Sequence, residues 1–531
     1  MLPPGLRRAV HSRSVALKPQ LHPRRNMVAS KAAAASSTST TNGHTSARRS
    51  PSERVLTLKT INTCVLKAEY AVRGEIAIRA EELRVQCTSE EGRKKLGFDK
   101  VISCNIGNPQ QLEQKPITFF RQVASLCEYP DLLNHDLVSQ IYPKDAIARA
   151  KKLLGAIGSI GAYSHSKGVP AIRQNIASFL ERRDGHPADP ESIYLTTGAS
   201  GGVSNMLQVM IANPSCGVLI PIPQYPLYTA ALALNEAVAV PYYLRENEKW
   251  SLDIPEMRQA IHKARSDGTD LRAVVIINPG NPTGQCLSLE NMKEIVELAY
   301  DEKLALLADE VYQTNVFDKK RPFVSFKKVL KDLGEPYASN LELVSFHSMS
   351  KGQIGECGRR GGFYEMVNFD KQAAEQIYKL ASIQLCSGLQ GQIGIDLMID
   401  PPKQGDESYE KYQEEVDTIQ SSLRERSTKI CEAFEKMEGV TCNPAEGAMY
   451  LFPQIRLPEK AIEAAKAAKK GPDGFYCLQL LEKTGICVVP GTGFGQVPGT
   501  LHFRTTFLAP QTDEFVKRIK DFHENFMTQY S

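Results

Sequence analysis

Residues 273–284 read AVVIINPGNPTG, and this stretch decides the fold class. Its first five residues are apolar without interruption, and such a run is typical of a strand that helices cover on both faces. The two prolines and two glycines that follow predict a rigid turn directly after the strand. The stretch therefore predicts a buried strand of an α/β sheet that ends in a turn carrying asparagine side chains.

Five more short apolar or β-branched runs lie on either side of this stretch, separated by longer amphipathic segments. They are residues 192–197, 217–222, 304–309, 343–347 and 362–366. Strands that alternate with helices indicate an α/β fold, in which a mainly parallel sheet is covered by helices. We expect these runs to form one large domain.

A second, smaller domain is predicted from the change in composition after Pro401 and Pro402. A long polar helix is expected within residues 400–436, followed by strands at 448–452, 485–489 and 501–507 and a helix near 459–470. The predicted organisation is an arm at 1–52, an N-terminal segment at 53–140 that contributes to the small domain, a large domain at 141–400 and a small α+β domain at 401–531.

Charge is distributed unevenly along the 531 residues. The net charge is +4, but nine Arg and Lys residues precede the first acidic residue, Glu53, which leaves residues 53–531 with a net charge of −5. A mildly acidic body lacks the basic field that nucleic-acid binding requires, and no apolar run approaches the roughly 20 residues that span a bilayer. Neither nucleic acid nor a membrane is therefore an expected partner.

The arm at 1–52 has the composition of a targeting segment. It holds 13 Ser and Thr residues, several Arg and no acid, which is typical of an organellar transit peptide. Arg7, Arg8 and Arg13 lie among apolar residues, and this pattern favours the mitochondrial matrix. A chloroplast address, or a disordered basic arm on a cytosolic protein, remains the alternative.

The twelve cysteines are scattered between Cys64 and Cys487 without a C-x-x-C pair or histidines at zinc-ligand spacing. They predict neither a disulfide framework nor a metal site. Scattered cysteines usually behave as small buried hydrophobes, as in proteins of a reducing compartment.

Polar residues follow four of the predicted strands, and in α/β sheets ligands bind outside the carboxyl ends of the strands. GASGG at 198–202 opens a helix, where free N–H groups suit a phosphate. Asp309 ends one strand, Lys351 follows another, and Asn281 lies in the rigid turn. Each feature alone is also explained by a capped turn or a solvated side chain, but together they are what pyridoxal phosphate requires.

Four motifs in this order resemble those of class I aminotransferases in the fold-type-I pyridoxal-phosphate group. They are Asn278 to Gly284, Asp309-x-x-Tyr312, Ser348-x-Ser350-Lys351 and Gly358-x-Arg360-x-Gly362. The segments 106–123 and 350–365 are similar to the alanine aminotransferase subgroup. The resemblance runs from about residue 55 to 526, and it implies a seven-stranded, mainly parallel sheet in the large domain.

The resemblance also implies a role for each matching residue. Lys351 is expected to be the Schiff-base lysine, Asp309 to pair with the ring nitrogen, and Tyr225 to stack on the ring. The remaining expected contacts are Asn281 and Tyr312 with the phenolic oxygen; Ala199, Ser200, Ser348, Ser350 and Arg360 with the phosphate; and Gly107, Asn281 and Arg504 with the substrate. Tyr163 is expected to reach the phosphate of a neighbouring subunit, which implies a homodimer with shared sites.

One assignment within this set stays open. In many class I members the phosphate-binding arginine lies eight positions after the lysine, which selects Arg359, whereas the flanking glycines select Arg360.

The activity implied by the resemblance is a ping-pong transfer of the amino group of L-alanine to 2-oxoglutarate. The products are pyruvate and L-glutamate, pyridoxal phosphate is the cofactor, and no metal is expected. The alternatives are a glutamate:glyoxylate aminotransferase, a lyase similar to aminocyclopropane-carboxylate synthase, and a non-catalytic ligand-binding module on the same fold.

Overall fold

The computed structural model describes residues 54–70, 72, 74–318 and 322–531. The predicted arm and its transit peptide, at 1–52, lie outside the described residues. Residues 61–531 form one compact unit. Of the other unit, which ends at Thr60, only residues 54–60 are described; they are exposed and form a turn in which Thr60 Oγ1 donates to the Val55 carbonyl at 2.7 Å.

The strands in the described part of the chain form one large sheet and three small ones. In chain order they are β1 Ile102–Ser103, β2 Ile193–Thr197, β3 Cys216–Ile222, β4 Val238–Tyr243, β5 Asp270–Ile277, β6 Ala305–Asp309, β7 Leu343–Ser348, β8 Gly361–Val367, β9 Val440–Thr441, β10 Tyr450–Leu451, β11 Gln454–Ile455, β12 Ile486–Cys487, β13 Val489–Pro490 and β14 Phe503–Thr506.

The large sheet has seven strands in the order β2-β8-β7-β6-β5-β3-β4. Only β8 runs antiparallel to its neighbours; the remaining pairs are parallel. The prediction of a seven-stranded, mainly parallel sheet is confirmed, and all six predicted runs are strands of it. The seventh strand, β4, is an edge strand that the sequence patterns did not indicate.

Helices cover both faces of this sheet. In chain order the helices are α1 Thr63–Lys67, α2 Glu75–Gln86, α3 Glu90–Leu96, α4 Thr118–Glu128, α5 Val138–Ile141, α6 Lys144–Ile157, α7 Pro170–Asp184, α8 Gly198–Met210, α9 Leu227–Leu234, α10 Ile254–Ser266, α11 Leu289–Asp301, α12 Phe326–Asp332, α13 Tyr337–Asn340, α14 Lys371–Ile383, α15 Leu389–Ile399, α16 Tyr409–Glu435, α17 Glu459–Ala467, α18 Pro472–Thr484 and α19 Thr512–Tyr530.

Strand β5 shows why the predicted strands lack alternation. Val274 and Ile276 belong to a core cluster with residues of α10 and α11, whereas Val275 and Ile277 belong to another with residues of α8 and α9. Successive side chains of a strand point to opposite faces, so a strand covered on both faces is apolar throughout.

The register of the central strands brings their carboxyl ends to one edge. Ile277 of β5 pairs with Asp309 of β6, and Asp309 pairs with Phe346 of β7. The turn after β5, the residues after Asp309 and the loop that carries Lys351 therefore leave the sheet side by side. This edge is where a ligand of an α/β sheet is expected.

The C-terminal part holds the small sheets β10-β14-β13 and β11-β9, with the 27-residue helix α16 before them. The run predicted at 485–489 forms two short strands, β12 and β13, and the predicted helix near 459–470 is α17. Strand β1 of the N-terminal segment pairs in parallel with β12. The domain boundaries at residues 140 and 400 stay predictions.

Eight of the twelve cysteines are buried. Within the described ranges, no helix combines the length and apolar character needed to cross a membrane.

Candidate active site

A cavity of about 560 Å³ opens at the carboxyl edge of the large sheet. Every residue predicted for the site except Tyr163 lines it. The predicted residues in the lining are Gly107, Ala199, Ser200, Tyr225, Asn281, Asp309, Tyr312, Ser348, Ser350, Lys351, Arg360 and Arg504. A larger cavity, of about 740 Å³ beside Trp250 and His502, contains none of the predicted residues.

The N-terminus of α8 forms one wall of the cavity together with Arg360. The φ angle of Gly198 is 72°, and its N–H donates to the Arg360 carbonyl at 2.9 Å. A Cβ at this glycine would overlap the Arg360 guanidinium. Arg360 Nη2 donates to Ser200 Oγ at 3.3 Å. The free N–H groups at the start of α8 and this guanidinium therefore form a site suited to an anion.

Arg359, the alternative phosphate ligand, does not line the cavity. Its Nε lies 3.3 Å from Glu356 Oε2, and the Glu356 side chain is only 4% exposed. The geometry therefore favours Arg360 over Arg359.

Asp309 is a buried carboxylate at the end of β6. Its Oδ2 accepts from Tyr228 Oη at 2.9 Å, and its Oδ1 accepts from the Val311 N–H at 3.3 Å. Burial raises the pKa of Asp309 from 3.8 to about 6, although both hydrogen bonds act in the opposite direction. A buried carboxylate with only neutral donors is suited to pair with a cationic ligand group.

Lys351 lies three residues after the end of β7. Its Nζ donates to the carbonyl of Gly107, so the N-terminal segment and the loop after β7 meet in the cavity. Ser348 and Ser350 are buried, and the Ser350 N–H donates to Ser348 Oγ at 3.3 Å. The lysine and the two serines thus line the same cavity at the edge of the sheet.

Arg504 of β14 is a buried guanidinium, 1% exposed. Its Nη1 donates to Asn281 Oδ1 at 3.0 Å, its Nη2 donates to the Asn105 carbonyl, and its Cζ lies 4.1 Å from the centre of the Tyr450 ring. The buried Nε has no hydrogen-bond partner among the described residues. A carboxylate ligand would satisfy this donor, because a guanidinium binds carboxylates through two parallel hydrogen bonds.

Tyrosines complete the lining. Tyr225 and Tyr70 share a hydrogen bond of 2.7 Å between their hydroxyl groups, and Tyr312 donates to Tyr450 Oη at 3.3 Å. Burial alone would raise the pKa of Tyr450, but the charges of Lys351 and Arg504 lower it below its ordinary value. The cavity is therefore electropositive where these two cations approach the ring.

Sequence reasoning missed Tyr70, Tyr228 and Tyr450. Tyr70 follows α1, Tyr228 lies inside α9, and Tyr450 begins the short strand β10. None of them follows a strand of the large sheet, so the rule that located the other residues could not have found them.

Tyr163 lies outside the cavity lining and is 80% exposed. Nearby, His165 stacks on Tyr378 with a ring separation of 5.6 Å.

Comparison with known proteins relates the chain to one family. The family model described as aminotransferase class I and II matches residues 133–521. A protein of Dictyostelium discoideum named probable alanine aminotransferase, mitochondrial, is 53% identical over 484 residues, 90% of each chain. Alanine aminotransferase 2 of Panicum miliaceum is 52% identical over 89% of this chain and 98% of its own. Glutamate–glyoxylate aminotransferase 1 of Arabidopsis thaliana is 50% identical over 90% and 98%.

Solved structures share the fold at lower sequence identity. An aminotransferase from Escherichia coli superposes with a TM-score of 0.66 at 24% identity, covering 91% of this chain and 99% of its own.

Proposed function

This chain belongs to the class I and II aminotransferase family, and on that premise we propose that it transfers the amino group of L-alanine to 2-oxoglutarate, giving pyruvate and L-glutamate. Relatives at 53% and 52% identity carry the name alanine aminotransferase, and one at 50% carries the name glutamate–glyoxylate aminotransferase. These names favour alanine as the amino donor. The competing reaction to be tested is the transfer from glutamate to glyoxylate.

One observation carries the proposal: a lysine, a buried carboxylate and two arginines line a single cavity of about 560 Å³. Lys351 is the nucleophile and base, Asp309 the buried anion, and Arg360 and Arg504 the cations. A hydrolase or a simple binding module needs no such set, whereas a pyridoxal-phosphate transaminase uses every member.

The residues present fit pyridoxal phosphate. Gly198 leaves room for the Arg360 guanidinium beside the N-terminus of α8, which makes a cradle for a phosphate dianion. Asp309, which among the described residues accepts hydrogen bonds from neutral donors, provides an anion for a protonated ring nitrogen. When bound, the cofactor supplies a carbonyl carbon that takes up the amino group and a protonated ring that withdraws electron density from the substrate Cα.

Anchoring of the cofactor falls to residues on three sides of the cavity. The phosphate would be held by the backbone N–H groups of Ala199 and Ser200 and by Arg360, with the hydroxyl groups of Ser348 and Ser350. Asn281 uses its carbonyl oxygen for Arg504, which leaves its amide N–H groups to donate to the phenolic oxygen. Tyr312 has one O–H, which donates to Tyr450 Oη in this structure and would turn to the phenolic oxygen when the cofactor binds. Tyr225 would pack against the ring, and Tyr228, which donates to Asp309, would hold that carboxylate in place for the ring nitrogen.

Chemistry at the substrate falls to Lys351 and Arg504. Arg504 binds the α-carboxylate that all four substrates share, and its bidentate grip fixes the direction of the Cα–H bond. Lys351 Nζ would take the Cα proton and deliver it to the cofactor carbon that takes up the amino group. The backbone at Gly107, which already contacts Lys351, closes the cavity on the substrate side.

The experiment is a pair of half-reactions on the purified full-length protein. L-alanine should bleach the visible cofactor absorbance and release pyruvate, and 2-oxoglutarate should restore the absorbance and release L-glutamate. Lys351→Ala is the inactive control. Release of glycine from glyoxylate at a much higher kcat/KM than pyruvate formation from alanine would replace this assignment by the glutamate–glyoxylate one, and a protein that binds alanine without turnover would favour a binding module.

We also propose a homodimer in which Tyr163 contacts the phosphate of the partner's cavity. The support is that Tyr163 matches a family tyrosine with this role and lies exposed outside the cavity of its own chain. In a two-fold dimer the same loop is brought to both sites. Mixing the inactive variants Tyr163→Ala and Lys351→Ala should restore part of the activity, because a mixed dimer holds one intact site. A fully active monomer in sedimentation would contradict it.

For the location we propose the mitochondrial matrix. The support is the acid-free, Arg- and Ser-rich sequence before Glu53 and the word mitochondrial in the name of a relative at 53% identity. Residues 1–52 fused to a fluorescent reporter should direct it to mitochondria. A reporter that stays in the cytosol, or that enters plastids, would overturn the proposal.

A further inference from the structure

Two segments singled out in the sequence, residues 106–123 and 350–365, lie against each other although more than 200 positions separate them. Gln110 Nε2 donates to the Gly355 carbonyl at 3.2 Å, and Gln114 Nε2 donates to the Gln353 carbonyl at 3.3 Å. The first segment thus caps the carbonyl groups of the loop that follows Lys351.

Glu356 is the centre of this contact. Its side chain is 4% exposed, and its two oxygens accept from Arg121 Nε and Nη2 at 3.0 and 3.1 Å. Arg121 Nη2 also donates to Gln110 Oε1 at 2.9 Å. A bidentate pair of this kind fixes orientation as well as distance, because the fork and the carboxylate are both planar.

The two segments are closely packed against each other. Gly355 has a φ of 62°, and a Cβ there would come within 2.9 Å of Pro109 Cβ and 2.8 Å of Gln114 Nε2. Next to it, the Cys357 thiol donates to Asn108 Oδ1 at 3.1 Å. Movement of either segment would therefore have to break several contacts together.

Both segments include residues that line the cavity and have proposed roles in the reaction. Gly107, at the start of the first, accepts from Lys351 Nζ. In the second, Glu356 lies between Lys351 and Arg360, and Arg360 Nη1 donates to the Cys357 carbonyl at 3.0 Å. A shift of the backbone at Glu356 would therefore move Lys351 and Arg360 relative to Gly107, which is expected to contact the substrate.

We propose that Arg121 and Glu356 form a positioning clamp that holds the Lys351 loop against the Gly107 segment, so that the lysine amine lies where the Cα proton of the substrate is removed. This inference rests on the proposed transaminase function and adds to it two residues that touch neither substrate nor cofactor. The clamp acts by geometry: the Arg121 side chain is 44% exposed and the Glu356 carboxylate 4%, so a substitution that keeps a cation at position 121 leaves the buried charge paired and changes only how firmly it is oriented.

The variant that tests the clamp is Arg121→Lys, which keeps the charge and loses the fork. We expect kcat in both half-reactions to fall between about 10-fold and 100-fold, as for a displacement of about 1 Å at a reacting group. The KM for L-alanine should change by less than about twofold, because Arg504 is outside the clamp. The melting temperature should fall by less than about 1 °C.

Glu356→Gln and the double variant provide a second measurement. If Arg121 and Glu356 act through one contact, the double variant should be no slower than the slower single variant. Losses that multiply would show independent effects and would overturn the clamp.

A readout that does not depend on turnover is the reactivity of the Cys357 thiol. Alkylation by iodoacetamide, followed by peptide mapping of the purified full-length enzyme, should be faster at Cys357 in Arg121→Lys than in the wild type, because the bond to Asn108 loosens. Unchanged alkylation together with unchanged kcat would refute the proposal.

The matched control is Arg258→Lys. The Arg258 side chain is 39% exposed and donates to Glu302 Oε1 at 2.8 Å and Asp301 Oδ2 at 2.9 Å, and none of the three lines the cavity. It should keep wild-type kcat and Cys357 reactivity; an equal loss in this variant would show that any broken ion pair has the same effect. A wild type without alanine turnover would refute the proposed function instead, whereas the alkylation result would still test the clamp.

Discussion

Replacing Asp309 by asparagine is expected to stabilise the cofactor-free protein at neutral pH while removing its activity. Burial raises the pKa of this carboxyl from 3.8 to about 6. Each pH unit between the unfolded and folded values corresponds to about 1.4 kcal/mol, so the ionised carboxylate costs the cofactor-free fold about 3 kcal/mol. Asparagine has nearly the same shape and can still accept from Tyr228.

The sign of the effect on stability depends on whether the folded or the unfolded chain holds the Asp309 proton more tightly. Below about pH 4 the carboxyl is protonated in both the folded and the unfolded chain, and aspartate and asparagine should be equivalent. Between about pH 4 and pH 6 the unfolded chain releases a proton that the folded chain still holds, so the wild type loses stability that the variant keeps. The difference should therefore develop between about pH 4 and pH 6 and stay constant above.

The difference in stability between the cofactor-free wild type and Asp309→Asn can be measured by thermal unfolding from pH 4.5 to pH 8. With about 470 residues in the folded unit, 3 kcal/mol corresponds to a rise of about 3 °C in Tm for Asp309→Asn at pH 8. Loading with pyridoxal phosphate should reverse the order, because only the carboxylate pairs with a protonated ring nitrogen.

An exposed acid provides the control of opposite sign. Asp332 has a lowered pKa because His186 and Lys328 donate to it, so its ionised form stabilises the fold above its unfolded pKa and this contribution is lost as the pH falls. Asp332→Asn should be slightly less stable than the wild type at pH 8. A difference between wild type and Asp309→Asn that does not change with pH, or a wild type that is the more stable at pH 8, would refute the reasoning.

Three further changes test the roles of single side chains. Tyr228→Phe removes a hydrogen bond that stabilises the Asp309 carboxylate, so the apparent pKa on the acidic side of the pH dependence of kcat/KM should rise by about one unit. An unchanged apparent pKa would show that this hydrogen bond does not act on the carboxylate. Arg504→Lys should lower kcat/KM in both half-reactions by about tenfold or more, because lysine lacks the bidentate fork of the guanidinium. A loss in the glutamate half-reaction alone would show instead that Arg504 binds the distal carboxylate of glutamate. Lys351→Ala should keep cofactor phosphate binding, measured by equilibrium dialysis, and lose nearly all turnover; wild-type turnover would exclude it as the base.

The large sheet was predictable from the sequence because its strands are buried on both faces. Strand β4 was missed for a physical reason: its burial alternates and Pro241 lies inside it. Proline is tolerated there because β4 is an edge strand with a single neighbour, β3. Edge strands need neither a continuous apolar run nor a full set of backbone donors, so their signal is weaker.

In the candidate site, the residues found from the sequence are those that directly follow strands or match a motif. Tyr228 contacts Asp309 across 81 positions and Tyr450 contacts Tyr312 across 138, and such contacts leave no local pattern. The same limit applies to the clamp: the sequence singled out both segments, but only the fold joins Arg121 to Glu356. The role of Tyr163 stays a prediction, since it depends on a second subunit.

The reversed direction of β8 has a consequence for how the cavity assembles. Since β7 ends and β8 begins at the same edge, Lys351 and Arg360 are delivered by one hairpin-like connection, and closing so short a loop has a small entropic cost. Arg504, in contrast, meets Asn281 across 223 positions and Asn105 across 399. Contacts of such high sequence separation form late and slowly. In refolding experiments the connection that carries Lys351 and Arg360 should therefore form before the contacts of Arg504.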